Sequence, residues 1–136
     1  MNKLEGRRAL ITGAARGIGK AIAKALASEG ADIAINYQSS EAGAIALAEE
    51  LHQAGRKTLL FKGNVSERAT WTAMLAEITL KWGRLDILVN NAGITRDKTL
   101  RKMTDDDWLS VLNTNLNACY YGVSAFMPMM VEQKFG

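Results

Sequence analysis

The sequence predicts an α/β fold of the Rossmann type, a doubly wound parallel sheet that is here incomplete, with strands in the order 3-2-1-4 and later strands missing. Two observations predict it. Short apolar runs, typical of parallel strands covered on both faces, alternate with segments of helical periodicity. The first of these runs passes directly into a glycine-rich turn, from which a helix leaves.

Length and composition favour a single domain and argue against several classes of protein. The chain has 136 residues, of which 48% are hydrophobic, and it carries a net charge of +3 from scattered basic residues. Such scattered charge does not indicate nucleic-acid binding. The single cysteine excludes an internal disulfide framework and fits a reducing compartment. With no apolar stretch of membrane-spanning length and no signal-peptide core, we expect a cytoplasmic protein without a membrane partner.

The first strand, Ala9–Ile11, leads into a turn that has the pattern of a diphosphate cradle. Gly13 allows the sharp turn, Gly17 lets a pyrophosphate approach the backbone, and Gly19 lets the helix lie close to the sheet. The helix that begins near Gly17 and ends at Ser28 points its free N–H groups at the ligand. An ordinary strand–turn–helix is the alternative, but the position at the start of an alternating strand/helix pattern favours phosphate binding.

The second strand, residues 31–37, ends without an acidic residue. An Asp or Glu about 20 residues after the glycines would bind a ribose 2′-hydroxyl and repel a 2′-phosphate. Here the strand ends in Asn36-Tyr37-Gln38-Ser39-Ser40, while Arg16 lies in the glycine turn. Because a guanidinium matches a phosphate in charge and geometry, the sequence favours NADP(H) over NAD(H). The alternative is that Arg16 is a solvated turn residue.

The middle of the chain predicts two further helices around a third strand. Ser40 is expected to cap a helix that runs through about Ala54, and residues 57–62 form the strand. Asn64 follows this strand, where it either bonds a base or shapes the turn. Ser66 is expected to cap the third helix, which runs to about residue 82. The chain has one histidine, so neither a Ser-His-Asp triad nor a histidine-based metal site is supported, and no metal is expected.

The fourth strand, Leu85–Val89, is followed directly by Asn90-Asn91-Ala92-Gly93. If the first and fourth strands are neighbours, this loop forms one wall of a ligand crevice and the glycine turn forms the other. Small Ala92 and Gly93 would admit a nucleoside. We expect Asn91 to contact the ligand, whereas a purely structural role is equally compatible with Asn90.

The last segment predicts a long helix, capped by Thr104 and supported by the aspartates that follow it. Two poor helix formers, Asn113 and Asn115, stand in its middle and indicate either a bend or a side chain needed at the crevice. Pro128 is expected to kink the helix or mark its last turn. The helix carries an apolar surface too broad for one sheet face, which suggests a subunit contact; its residues are Trp108, Val111, Leu112, Leu116, Cys119, Tyr120, Val123, Phe126, Met127 and Met130.

Three motifs together resemble the short-chain dehydrogenases/reductases in order and spacing. They are Thr12-Gly13-x-x-x-Gly17-Ile18-Gly19, Asn90-Asn91-Ala92-Gly93 and Asn115. The runs Asn90 to Asp97, Lys102 to Thr104 with Trp108, and Thr114 to Leu116 are most similar to 3-oxoacyl-(acyl-carrier-protein) reductases, and acetoacetyl-CoA reductases fit equally well. The resemblance covers the whole chain, which corresponds to a little over half of a typical family member.

The resemblance implies a role for each matching residue. It assigns the NADP phosphates to Gly13, Arg16, Gly17, Ile18 and Gly19, the 2′-phosphate region to Asn36, Tyr37, Gln38 and Ser39, the adenine to Asn64 and Val65, and the adenosine ribose to Asn91, Ala92 and Gly93. Asn115 would be the catalytic asparagine, which bends the helix and holds a water of the proton relay. Asn64 departs from the aspartate of many relatives.

The activity implied is NADPH-dependent reduction of a 3-oxoacyl thioester, carried by acyl carrier protein or CoA, to the 3-hydroxyacyl thioester. The family's catalytic serine and Tyr-x-x-x-Lys pair would follow Gly136, so we expect a single domain that forms the N-terminal, cofactor-binding part of a reductase and is inactive alone. Two alternatives remain: a catalytically inactive dinucleotide-binding module, and an alcohol dehydrogenase of the same family with another carbonyl substrate. The family also implies a homo-oligomer, a tetramer, formed through the helix of residues 104–134.

Overall fold

The computed structural model describes residues 2–136 and contains one parallel sheet with helices on both faces. The strands are β1 (Arg8–Ile11), β2 (Asp32–Tyr37), β3 (Thr58–Lys62) and β4 (Ile87–Val89). The helices are α1 (Gly17–Ser28), α2 (Glu41–Gln53), α3 (Arg68–Lys81), α4 (Asp105–Leu112) and α5 (Ala118–Gln133), and a π-helical segment, Asn113–Asn117, joins the last two. The strand order β3-β2-β1-β4, with every pair parallel, confirms the predicted topology.

Alternate residues of the inner strands enter two separate cores, as the period of a β-strand requires. Ala9 and Ile11 pack on the side that α1 and α2 cover, whereas Leu10 packs on the side of α3 and α5. All three side chains are fully buried. The apolar runs of the sequence therefore reflect a sheet that is covered on both faces, which confirms the doubly wound architecture.

The fourth strand lies at the edge of the sheet and is shorter than predicted. It spans only Ile87–Val89, the residues that pair in register with Ala9–Ile11 of β1, its one strand partner among residues 2–136. Leu85 and Asp86, predicted as strand, precede it and are buried. An apolar groove of about 850 Å³ runs along the free side of β4, between this strand and α5. The edge of the sheet is thus open along β4 within residues 2–136.

Of the predicted helix caps, the one at Thr104 is present in the structure and the one at Ser66 is not. Thr104 is confirmed: its side chain accepts the N–H of Asp107, and the Asp107 carboxylate accepts the N–H of Thr104. That N–H, together with Lys98 and the Thr104 side chain, lowers the pKa of Asp107 to about 2. The expected cap at Ser66 is wrong, because α3 begins at Arg68 and the Ser66 hydroxyl donates instead to Asn64 Oδ1.

The predicted long helix consists of two α-helices joined by a π-helical segment. The π-helical segment Asn113–Asn117 interrupts it at the asparagines that the sequence singled out. Pro128 lies inside α5, which continues to Gln133, so it does not mark the last turn. No helix among residues 2–136 is both long and apolar enough to cross a membrane.

Candidate functional site

A cavity of about 380 Å³ opens at the carboxyl ends of the strands. Its walls are the turn between β1 and α1, the end of β2, the segment after β3 and the loop after β4. The lining residues are Gly13, Ala15, Arg16, Gly17, Ile18, Asn36, Tyr37, Gln38, Ser39, Ser40, Gly63, Val65, Asn91, Ala92, Gly93, Ile94 and Thr114. The cavity therefore brings together every predicted site residue except Gly19, Asn64 and Asn115.

The glycine turn has the backbone that its sequence requires. Gly13 and Gly17 adopt φ angles of +61° and +58°, in the left-handed region that favours glycine. A Cβ at Gly17 would have no atom of residues 2–136 within 4 Å, so the main chain there is open to the cavity. The N-cap position of α1 is held by Arg16, and the first turn of the helix carries no acidic residue. Free helix N–H groups consequently face the cavity without a competing carboxylate, which suits an anion.

Gly19 lies behind the turn, where it permits close packing. A Cβ at this position would stand 2.5 Å from the Gly13 carbonyl oxygen and 2.5 Å from Asn91 Nδ2. These distances are shorter than any real Cβ contact, so only glycine lets α1 lie against the turn. The sequence predicted this role, and it explains why Gly19 does not itself line the cavity.

Thr12 and Asn91 tie the loop after β4 to the turn after β1. The Thr12 hydroxyl oxygen accepts the N–H groups of Asn91 and Ala92, each at 3.0 Å. Asn91 Nδ2 donates to the carbonyl oxygens of Thr12 at 3.0 Å and Gly13 at 3.2 Å. The two walls of the cavity are therefore fixed to each other. Because the backbone and side-chain N–H groups of Asn91 are engaged in this way, its ligand contact, which stays a prediction, would use its Oδ1 or its backbone carbonyl oxygen.

At the end of β2, the polar side-chain atoms of Asn36 and Tyr37 form hydrogen bonds to other parts of the protein. Asn36 is 2% exposed and bonds backbone groups of three segments, while Tyr37 is 6% exposed and its hydroxyl donates to Glu41 Oε1 at 3.2 Å. Burial, and then the Glu41 carboxylate, raise the pKa of Tyr37. Of the group predicted to meet a 2′-phosphate, Gln38 and Ser39 are the exposed members. Arg16 is exposed as well and forms no ion pair with any residue of the 2–136 range.

The segment after β3 forms the wall opposite the glycine turn. Val65 lines the cavity and is 5% exposed, and its carbonyl oxygen accepts Trp71 Nε1 at 2.8 Å. Asn64 lies outside the lining, and its Oδ1 accepts the N–H of Ser66 at 2.9 Å. This bond is the turn-shaping one of the two roles that the sequence left open for Asn64, and a contact with a base stays a prediction.

Asn115 belongs to the π-helical segment and contacts the loop that follows β4. Its Oδ1 accepts the Ile94 N–H at 2.8 Å, and its Nδ2 donates to the Ile94 carbonyl oxygen at 2.9 Å. A Cβ at Gly93 would lie 3.4 Å from the same Oδ1. Asn115 thus lies in the irregular part of the helix and bonds Ile94, a lining residue, without lining the cavity itself. Its catalytic role stays a prediction.

Five lining residues were not assigned a site role from the sequence: Ala15, Ser40, Gly63, Ile94 and Thr114. Ala15, Gly63 and Ile94 adjoin motif residues, so proximity to the motifs was a usable signal. Ser40 was assigned only to capping; it holds the N-cap position of α2, but its side chain does not bond the first turn. Thr114 adjoins Asn115 in the run Thr114 to Leu116, so the same signal was available for it, and the π-helical segment places it at the cavity.

Comparison with known proteins gives a family match and close relatives. The model of the family described as short chain dehydrogenase matches residues 7–136. The chain is 41% identical over 130 residues to the 3-oxoacyl-[acyl-carrier-protein] reductase FabG of Staphylococcus aureus (strain Mu50 / ATCC 700699), covering 96% of this chain and 53% of that protein. It is 42% identical over 132 residues to the Escherichia coli (strain K12) reductase of the same name, covering 97% and 52%. The chain therefore spans about half the length of the curated relatives it matches.

Solved structures show the same fold. A short chain dehydrogenase from Burkholderia cenocepacia J2315 in complex with NADP superposes with a TM-score of 0.91 at 39% identity, over 94% of this chain and 52% of that one. A metagenomic short-chain oxidoreductase in complex with NADP also gives a TM-score of 0.91, at 34% identity over 98% and 60% of the two chains.

Proposed function

This chain belongs to the short-chain dehydrogenase family, and we propose that it is the NADP(H)-binding part of a reductase acting on 3-oxoacyl thioesters. The observation that carries the proposal is the cavity at the carboxyl ends of the strands, with the open glycine turn on one side and the loop after β4 on the other. The reductases FabG and the two solved relatives in complex with NADP support the choice of reaction and coenzyme. The single cysteine also supports a cytoplasmic location.

The residues present fit a dinucleotide. The turn from Gly13 to Gly19 offers an open main chain and helix N–H groups for a pyrophosphate. Because Gly19 has no side chain, α1 packs directly against this turn. Val65 would contact the adenine, and Ala92 with Gly93 the adenosine ribose. When bound, the reduced coenzyme supplies a hydride to the 3-keto carbon. The chain's own residues would bind and orient, and Asn115 would hold both backbone groups of Ile94 in the loop after β4.

The preference for NADPH over NADH rests on Arg16, and we expect Arg16→Ala to weaken NADPH binding selectively. The exposed guanidinium is free to pair with a 2′-phosphate, and a hydrogen bond to a charged group contributes about 1.5–3 kcal/mol. The Kd of NADPH should rise about 10- to 100-fold while that of NADH stays nearly constant, as measured by fluorescence titration.

The matched control for this variant is Arg101→Ala, which removes an exposed arginine outside the cavity lining. It should leave both affinities unchanged. Equal losses for the two coenzymes in Arg16→Ala, or tighter binding of NADH than of NADPH by the parent chain, would contradict the proposed preference.

The substrate is tested on the longest product of the gene that encodes this chain. Reduction of acetoacetyl-CoA or of 3-oxoacyl carrier-protein thioesters, followed through the loss of NADPH fluorescence, is the expected result. Activity restricted to a carbonyl compound that is not a thioester would favour another alcohol dehydrogenase of the family. Coenzyme binding without turnover of any of these compounds would favour an inactive dinucleotide-binding module.

We also propose a homo-oligomer, the tetramer of the family, whose contact is an apolar stripe on α4, the π-helical segment and α5. The stripe is defined by Trp108, Leu116, Tyr120, Met127 and Val131, each between 52% and 68% exposed. Phe126, which the sequence grouped with them, is instead fully buried against the sheet. The helix therefore has one face for the core and another that carries large apolar side chains into solvent, a pattern that marks association surfaces.

Charge on this stripe is expected to dissociate the oligomer. The double variant Trp108→Glu with Tyr120→Glu should sediment as a monomer, because two copies of the stripe would bring like charges together in a poorly solvated contact. Leu80→Glu is the matched control, since Leu80 is an isolated residue of α3 that is 85% exposed. The prediction fails if the parent chain is monomeric or if the double variant keeps the parent's sedimentation coefficient.

A further inference from the structure

Asn36 joins three backbone segments around the cavity through a single buried carboxamide. Its Oδ1 accepts the Gly13 N–H at 3.3 Å. Its Nδ2 donates to the carbonyl oxygens of Phe61 at 3.3 Å and Gly63 at 3.2 Å. The first partner lies in the glycine turn, and the other two lie at the end of β3 and in the segment that leads to Val65. One side chain thus connects the proposed phosphate wall with the proposed base wall.

The chemistry of this position requires both an acceptor and two donors. A carboxamide supplies them on one planar group, whereas a carboxylate only accepts and an aliphatic side chain does neither. At 2% exposure, solvent cannot replace a lost partner. The same carboxamide has both N–H groups occupied by backbone oxygens, so it has no donor left for a coenzyme phosphate.

We infer that Asn36 is a positioning residue, which sets the separation between the glycine turn and the segment after β3, and that it is not a ligand of the 2′-phosphate. The inference rests on the proposed dinucleotide site. The pyrophosphate and the adenine are common to NADPH and NADH, so loss of the Asn36 bonds should weaken both coenzymes by the same factor. A direct 2′-phosphate ligand, as the sequence predicted, would affect NADPH alone.

The first test uses the coenzyme-free chain and amide hydrogen exchange. In Asn36→Ala the Gly13 N–H loses its acceptor, so its exchange should accelerate at least 10-fold, while the Ile11 N–H in the β-ladder should keep its rate. Asn117→Ala is the matched control, since it removes a comparable amide hydrogen bond, to Asn113 Oδ1, from outside the cavity lining. An unchanged Gly13 rate in Asn36→Ala would overturn the inference.

The second test compares the Kd values of NADPH and NADH by fluorescence titration of the folded variants. Asn36→Ala and Asn36→Asp should each raise both Kd values about 10-fold or more and leave their ratio unchanged. A loss confined to NADPH, or parental affinities in a folded variant, would overturn the inference. Should Asn36→Ala fail to fold, Asn36→Ser keeps a hydroxyl at the position and is measured in the same way.

The two tests separate this inference from the proposed function. A parent chain that binds neither coenzyme contradicts the dinucleotide site, whereas the exchange rate of the Gly13 amide still decides whether Asn36 holds the turn.

Discussion

Gly19→Ala is expected to raise the Kd of NADPH at least 100-fold. The new methyl group would lie 2.5 Å from the Gly13 carbonyl oxygen and 3.0 Å from the Ala14 Cα, both of which are backbone atoms that cannot rotate away. The helix must therefore move off the turn, and its N–H groups would leave their positions at the cavity. The change is read by fluorescence titration of NADPH, together with the urea midpoint of the variant.

The urea midpoint separates lost binding from lost folding. We expect Gly19→Ala to cost about 1–3 kcal/mol of stability, as overpacking does elsewhere. Gly55→Ala is the control: Gly55 has φ of +82° and an unobstructed Cβ position, so alanine there adds backbone strain remote from the cavity. Gly55→Ala should lose stability but keep its affinity for NADPH. Near-parental affinity in folded Gly19→Ala would refute the packing role assigned to Gly19.

Asp86→Ala is expected to lower the free energy of unfolding by about 2–4 kcal/mol, the largest stability effect of a single charge in the chain. The Asp86 side chain is fully buried next to the first residues of β1 and β4. It accepts the Arg8 N–H at 2.9 Å and Arg7 Nη1 at 3.3 Å, and it pairs with the Arg84 guanidinium. Its loss leaves two arginines and a backbone N–H without their acceptor. Because the arginine side chains are 33% and 38% exposed, water partly replaces the lost contacts, which keeps the cost below the upper limit for buried pairs.

The pH dependence of Asp86→Ala gives a second readout. Burial raises the pKa of Asp86, but Arg84, the Arg8 N–H and Arg7 outweigh it and lower the pKa below its usual value. A lowered folded-state pKa means that the stabilisation is complete above the unfolded-state pKa, about 3.9, and is lost as the pH falls through the folded-state value. The difference between parent and variant should therefore shrink in acid. Urea midpoints at neutral and acid pH measure it, with Asp97→Ala, an exposed aspartate, as the control. A difference that is independent of pH would contradict the role of the charge.

The turn after β1 was predictable because its cause is local: apolar runs and glycines with positive φ are properties of a few consecutive residues, and Gly13 and Gly17 behave as their positions require. The sheet order was predictable because crossovers between parallel strands are right-handed as a general rule. The extent of β4 was not predictable in this way. An apolar run such as residues 85–89 does not reveal that the strand has a partner on one side only, and pairing with β1 reduces it to Ile87–Val89.

The hydrogen-bond partners of the side chains around the cavity could not be predicted from the sequence, because they lie in segments that are distant along the chain. Asn36 was assigned to a phosphate from its place at the end of a strand, yet Gly13, Phe61 and Gly63 occupy its polar atoms. Ser66 has the residue type of a helix cap, but Asn64 takes its hydroxyl. Asn115, a poor helix former, does lie where the helix is irregular, but its bonds to Ile94, 21 residues away, leave no trace in the local sequence.

The proposed function requires the turn from Gly13 to Gly19 to hold the two bridging phosphates of a dinucleotide, beside the loop after β4 that contacts the adenosine ribose. A crystal structure of the chain grown at saturating NADPH tests it most directly. We expect pyrophosphate oxygens within hydrogen-bond distance of backbone N–H groups in that turn, with Ala92 and Gly93 beside the ribose. Coenzyme density elsewhere on the molecule, with the cavity filled by solvent or by a protein side chain, would contradict it.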